Sequence, residues 1–151
     1  MKKTILMLAI FFAFVAASGM PAACAASDEV NAFAALIKEI QLDKPLPNVG
    51  YLQSVKPLNK GELRYIGSYQ NWRIHVTVKE STGLIKDFGI SREGGDIIDN
   101  LLSLVATVYG DNYQAREKSP RDRGYGWDLG DFKMLNLFYQ SGVVRCGGGY
   151  L

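Results

Sequence analysis

One stretch constrains this chain more than any other. From Trp72 to Lys79 it reads WRIHVTVK, with apolar and polar residues alternating without error. Side chains on a β-strand point to opposite faces with a period of two. Trp72, Ile74, Val76 and Val78 therefore share one face, and Arg73, His75, Thr77 and Lys79 the other. This is a β-strand with one buried face. Leu63, Tyr65 and Tyr69 alternate just upstream, and Gln70-Asn71 is short enough for a tight hairpin turn. Downstream, Ser81-Thr82-Gly83 is turn chemistry, and Leu84 to Ile90 makes a third strand. Three consecutive antiparallel strands form a meander.

Helical patterns stand on either side of it. Between Asp28 and Leu42, residues Val30, Phe33, Ile37 and Ile40 recur at helical spacing with Ala34 on the same face. Ser27 is placed to cap this helix, and Asp28 and Glu29 suit the positive end of its dipole. Pro45 and Pro47 close it off, and the Pro- and Gly-punctuated stretch 43–61 reads as a loop or ordered linker, with room for a short strand near Tyr51 and Leu52. The second helix spans Asp96 to Tyr109. Ile97, Leu101, Leu104 and Val108 share a face beside Ile98, Leu102 and Val105, and Gly110 is a natural terminator.

Strand patterns return in the last third. Tyr113 and Ala115 suggest a short strand, and 117–126 (EKSPRDRGYG) reads as a charged loop. Trp127 to Leu129 and Phe132 to Tyr139 pair around Gly130-Asp131, and Val143 to Cys146 follows Ser141-Gly142. The tail from Gly147 to Leu151 has nothing in its composition to hold it to one conformation. No repeat of solenoid length is apparent. The element order gives an α+β fold: an antiparallel sheet (meander, helix, further strands) with two helices packed on one face. A small β-sandwich with accessory helices is the alternative.

The N-terminus carries an address. Lys2 and Lys3 precede an unbroken apolar run from Ile5 to Ala17, followed by Gly19, Pro21 and the small residues Ala22-Ala23-Cys24-Ala25-Ala26. That order is a secretory signal peptide, because the apolar run is too short to span a bilayer and ends in a cleavable small-residue stretch. Ala23 and Ala25 fit the −3 and −1 positions, so cleavage is expected after Ala25, with Ala26 the near alternative. The expected organisation is a signal peptide at 1–25 and a single α+β domain at 26–151, exported to the periplasm or secreted. Cys24 follows Pro21-Ala22-Ala23, a poor match to a lipobox; acylation there would make a lipid-anchored protein instead.

Losing Lys2 and Lys3 brings the 17 basic residues level with the 15 acidic ones. A body without net positive charge has no general pull on nucleic acid or anionic lipid, so no nucleic-acid partner is expected. After cleavage only Cys146 remains, so no intramolecular disulfide forms; cleavage before Cys24 would leave two cysteines able to pair. Because Val143-Val144-Arg145-Cys146 reads as a strand, Cys146 is expected to be a buried small apolar residue.

Candidate chemistry is sparse. His75 is the sole histidine, on the strand face opposite Trp72 and Val76. General acid–base work would need a carboxylate or hydroxyl within its reach, and no G-x-S-x-G elbow accompanies it. Asp111, Asp122, Asp128 and Asp131 lack the compact loop spacing that gives calcium its roughly six to eight oxygens. Gly147 to Gly149 precede no helix and cannot cradle a phosphate. No cofactor, metal or catalytic set is assigned. The suggestive segment contains Arg121, Arg123, Tyr125 and Trp127, residue types that dominate binding hot spots. Tyr65, Tyr69 and Trp72 form a second aromatic group, suited to core packing and cross-strand pairs. The expectation is a non-enzymatic exported module that binds a protein or envelope component. The alternatives are a small hydrolase built on His75 and an envelope protein acylated at Cys24.

Overall fold

A computed structural model describes residues 22–58 and 61–151. Ten elements follow in order: α1 (Ala22–Glu39), β1 (Leu52–Leu58), β2 (Glu62–Tyr69), β3 (Trp72–Lys79), β4 (Ile85–Glu93), α2 (Ile98–Tyr109), β5 (Gln114–Ser119), β6 (Asp122–Asp128), β7 (Lys133–Gln140) and β8 (Val143–Tyr150). The strands form one antiparallel sheet in the order β1-β2-β3-β4-β8-β7-β6-β5. A helix followed by a four-stranded meander thus occurs twice, and the two meanders join where β4 pairs with β8. The duplication is visible in the topology and leaves no periodic trace in the sequence.

The alternation in β3 does what strand geometry requires. Trp72, Ile74, Val76 and Val78 are buried with Phe33, Leu36, Ile37 and Ile40 of α1, Ile98, Leu101 and Val105 of α2, and Leu135 and Leu137 of β7 in one core. Both tryptophans are fully enclosed, and each indole N–H must find a partner there. Trp72 Nε1 donates to the Glu29 carbonyl at 3.0 Å, and Trp127 Nε1 to the Gly110 carbonyl at 2.8 Å. Each helix is also tied by an arginine. Arg92 of β4 meets Glu29 at 2.7 Å, where both side chains are mostly buried, and lies over the Trp72 ring. Arg123 of β6 meets Asp96 at 2.5 Å and Asp99 at 2.9 Å beside the first turn of α2. No described helix is long and apolar enough to cross a membrane.

Several local expectations need correction. The segment read as a signal peptide lies outside the described residues up to residue 21, and residues 22–25 open α1. Ser27 sits inside that helix, not at its cap, because the alanines before it are strong helix formers. The linker 43–61 contains a full strand, β1, paired with β2 from Leu52 to Leu58. The charged loop 117–126 is a hairpin: β5 and β6 pair across Pro120-Arg121. Both outer strands carry the devices that discourage edge pairing, Lys56 and Pro57 in β1 and the exposed charges of β5.

The largest departure is at the C-terminus. The expected strand Val143–Cys146 runs on through the glycine tail to Tyr150 as β8, a central strand paired on one side with β4 and on the other with β7. Pairing on both edges satisfies its backbone groups, which offsets the low strand propensity of glycine. A two-residue turn with positive φ at both Ser141 (52°) and Gly142 (81°) sets the register. Gly148 is required by close approach, since a Cβ there would lie 2.8 Å from the Phe88 ring.

Candidate binding surface

The residues that resemble a hot spot are placed by β6 and by the turn before it. Arg121 lies exposed in the β5–β6 turn. Trp127 is 1% exposed and Tyr125 7%, both within the core. Tyr125 donates its hydroxyl to Glu117 at 3.2 Å and meets Tyr113 edge-on. Arg123 is held by Asp96 and Asp99. Strand alternation sends residues 123, 125 and 127 to the core side, so their size and hydrogen bonds serve packing.

The opposite side of the sheet carries a different set. On β4, β8, β7 and β6 the residues alternating with the core are Gly89 and Ser91; Arg145, Gly147 and Gly149; Met134, Asn136 and Phe138; and Gly124 and Gly126. Five glycines thus fall on one face of four adjacent strands. Two adjoining depressions of about 540 and 480 Å³ lie over them and share Met134, Asn136 and Phe138 in their walls. Glycine in a strand interior costs roughly 0.5–1 kcal/mol relative to alanine and commonly marks a bulge or a close approach. No bulge falls at these positions.

The five are not equivalent. A Cβ at Gly89 would lie 2.2 Å from Cε1 of His75, whose ring rests on that strand, and one at Gly147 would lie 2.9 Å from the Phe88 carbonyl oxygen. At Gly124, Gly126 and Gly149 the nearest atoms stand at 3.6, 3.3 and 3.4 Å, and none of the three has a positive φ. Neither backbone conformation nor a backbone clash requires glycine at those three sites. A Cβ would make ordinary contacts at Gly124 and Gly149 and a tight one with the Asn136 side chain at Gly126.

The trough is polarised along the strands. At one end Arg145 lies over the Phe138 ring, 5.9 Å from its centroid, and Arg116 stands beyond Gly124 on β5. Neither arginine has an ion-pair partner among the described residues. Ser91 pairs with Arg145 at the same end, and the middle, level with Gly147, is polar with Asn136 and His75. At the far end Met134 is joined by Phe132 and Leu151, which are 80% and 87% exposed. Phe132 has φ 60°, uncommon for a bulky residue, and its carbonyl accepts from the Leu151 N–H at 2.8 Å.

His75 belongs to a small network on the same face. Its Nε2 stands 3.7 Å from Asp87 Oδ1, and that oxygen accepts from Thr77 Oγ1 at 3.2 Å. Arg64 Nε donates to Thr77 Oγ1 at 3.2 Å, with its Nη2 3.8 Å from Asp87. Burial pushes the imidazole below its ordinary value and outweighs the opposite pull of Asp87. Cys146 faces the core, is 1% exposed, and has its thiol pushed up to about 12 by burial, so it stays protonated and inert. Comparison of the chain with protein-family models, curated proteins and solved structures finds no match to any of the three.

Sequence reasoning had one available signal for this surface. Glycines at i and i+2, as in Gly124/Gly126 and Gly147/Gly149, must share one face of any strand that contains them. The same glycines remove the apolar alternation by which a strand is recognised, so both segments read as loop or tail.

Proposed function

We propose that the protein is an exported, non-enzymatic binding module that receives a protein or envelope partner on the glycine-floored face of its sheet, both helices being packed on the other. The observation that carries this reading is the trio Gly124, Gly126 and Gly149, glycines that neither turn nor backbone contact demands. Sequence positions that weaken a sheet without local need are accounted for if something outside the chain uses the space. Arg121 is exposed in the β5–β6 turn, while Arg123, Tyr125 and Trp127 serve the core side.

The test is site-specific crosslinking in the native envelope. A photoreactive residue at Asn136, in the trough, is expected to give an adduct of defined mass. The same residue at Thr107, exposed on α2, is expected to give none. Equal adducts from both positions, or none from Asn136, would overturn the reading. Intact mass of the purified protein tests the export step. Loss of residues 1–25 is expected, whereas acylation at Cys24 would make it a lipid-anchored protein.

A second reading, a small hydrolase, draws on the 3.7 Å approach of His75 to Asp87 beside the depression. Among the described residues no hydroxyl or thiol is hydrogen-bonded to His75, and Asp87 is shared with Thr77 and Arg64. Loss of a hydrolytic activity in His75→Ala, with the melting temperature unchanged, would favour the enzyme over the binding module.

A further inference from the structure

We infer that the occupant of the trough is an extended peptide segment with carboxylates at one end and apolar side chains at the other. This rests on the binding reading above and adds the chemistry of the partner. Three features of the trough specify it.

The first is charge. The depression around Gly124 and Gly126 has Arg116 and Lys118 in its wall against one acid, Asp122. Arg123, on the core side, is neutralised by Asp96 and Asp99, but Arg116 and Arg145 have no ion-pair partner among the described residues. Arg145 is also fixed over Phe138, so its guanidinium is pre-oriented to accept a carboxylate. The second is the opposite end, where Met134 and Leu151 line the depression and Phe132 and Leu151 stand 80% and 87% exposed, beside the Asp87 carboxylate that Arg64 and His75 face. From Arg145 to Leu151 is six residues of extended chain, about 20 Å at roughly 3.3 Å per residue. A peptide of similar length, itself extended, would span the two ends.

The third feature decides between a peptide and an anionic amphiphile, which would share the same head and tail chemistry. The stretch between the ends presents Asn136 and His75. An acyl chain laid across them would take their polar atoms out of water with nothing to bond, which costs free energy. A peptide backbone offers a donor and an acceptor at each residue and can descend onto glycines that have no Cβ.

The test measures binding of fluorescein-labelled ten-residue peptides to the purified protein by anisotropy. The first carries two aspartates at one end, a Gly-Ser spacer and two leucines at the other. A second replaces the aspartates with lysines, a third replaces the leucines with serines, and dodecanoate is the lipid arm. The first peptide is expected to bind about tenfold or more tighter than the second and third. Arg145→Glu with Arg116→Glu is expected to erase that preference, while the same charge change at Lys38 on α1 leaves it intact. Equal binding of the three peptides, indifference to the arginine changes, or displacement of the peptide by dodecanoate at lower concentration would overturn the inference. If Asn136 still crosslinks a native partner, the binding surface stands and only the peptide chemistry fails. If Asn136 captures nothing, both fail.

Discussion

The two faces of the sheet are built from the same strands by opposite rules. Along β6, Tyr125 and Trp127 fill the core while Gly124 and Gly126, the residues between them, leave the other face bare. Along β8, Val144 and Cys146 are buried while Gly147 and Gly149 alternate with them. On the core face each large side chain is packed and each indole N–H has a partner. On the other face stand glycines, exposed apolar residues, and two arginines, Arg116 and Arg145, with no ion pair among the described residues. The first arrangement accounts for stability. The second does not, and that contrast is the ground for proposing the bare face as a binding surface.

That contrast is open to attack by substitution, most strongly on the core side. Trp127→Ala removes a fully buried ring and its hydrogen bond, so chemical denaturation should show a loss of about 3–5 kcal/mol. Glu29→Ala strands the buried Arg92 guanidinium and should lower stability by about 3 kcal/mol. Arg123→Ala, whose partner Asp99 is well exposed, should cost about 1 kcal/mol in the same assay. On the bare face the sign reverses. Gly124→Val places a strand-favouring residue where its Cβ meets Phe138 at an ordinary 3.6 Å contact, and should raise stability by about 0.5–1 kcal/mol. A loss there comparable to that of Trp127→Ala would erase the distinction between the faces.

The smallest effect concerns pH. The folded His75 imidazole titrates below its ordinary value of 6.5, so near that pH the unfolded chain binds a proton that the folded chain does not. Stability therefore declines as pH falls below about 6.5 and levels off beneath the folded value. Equilibrium unfolding of wild type and His75→Gln across that range should differ in slope, with the shallower slope in the variant.

How much of this was legible depended on which signal a residue carries. The alternation of WRIHVTVK and the apolar stripe of α2 mark their elements directly, and the α+β class with an antiparallel sheet follows from them. Only one end of β1, β6 and β8 was marked, near Leu52, at Trp127 and over Val143–Cys146, because Pro57, Gly124, Gly126 and the run Gly147 to Gly149 replace the apolar pattern elsewhere with residues that usually signal turns. Composition also misdirects at β6. Arg123, Tyr125 and Trp127 are the types that dominate interfaces, yet side-chain direction, which composition does not carry, sends them inward. The trough could not be assembled from sequence, since its residues come from β4, β5, β6, β7 and β8 and meet only because β4 pairs with β8.

The most direct measurement is the crosslinking yield from Asn136 in a protein carrying both Gly124→Val and Gly149→Val. If the glycine floor is what receives a partner, the double variant will melt at or above the wild-type temperature and the Asn136 adduct will disappear. An undiminished adduct from the filled trough would contradict the account.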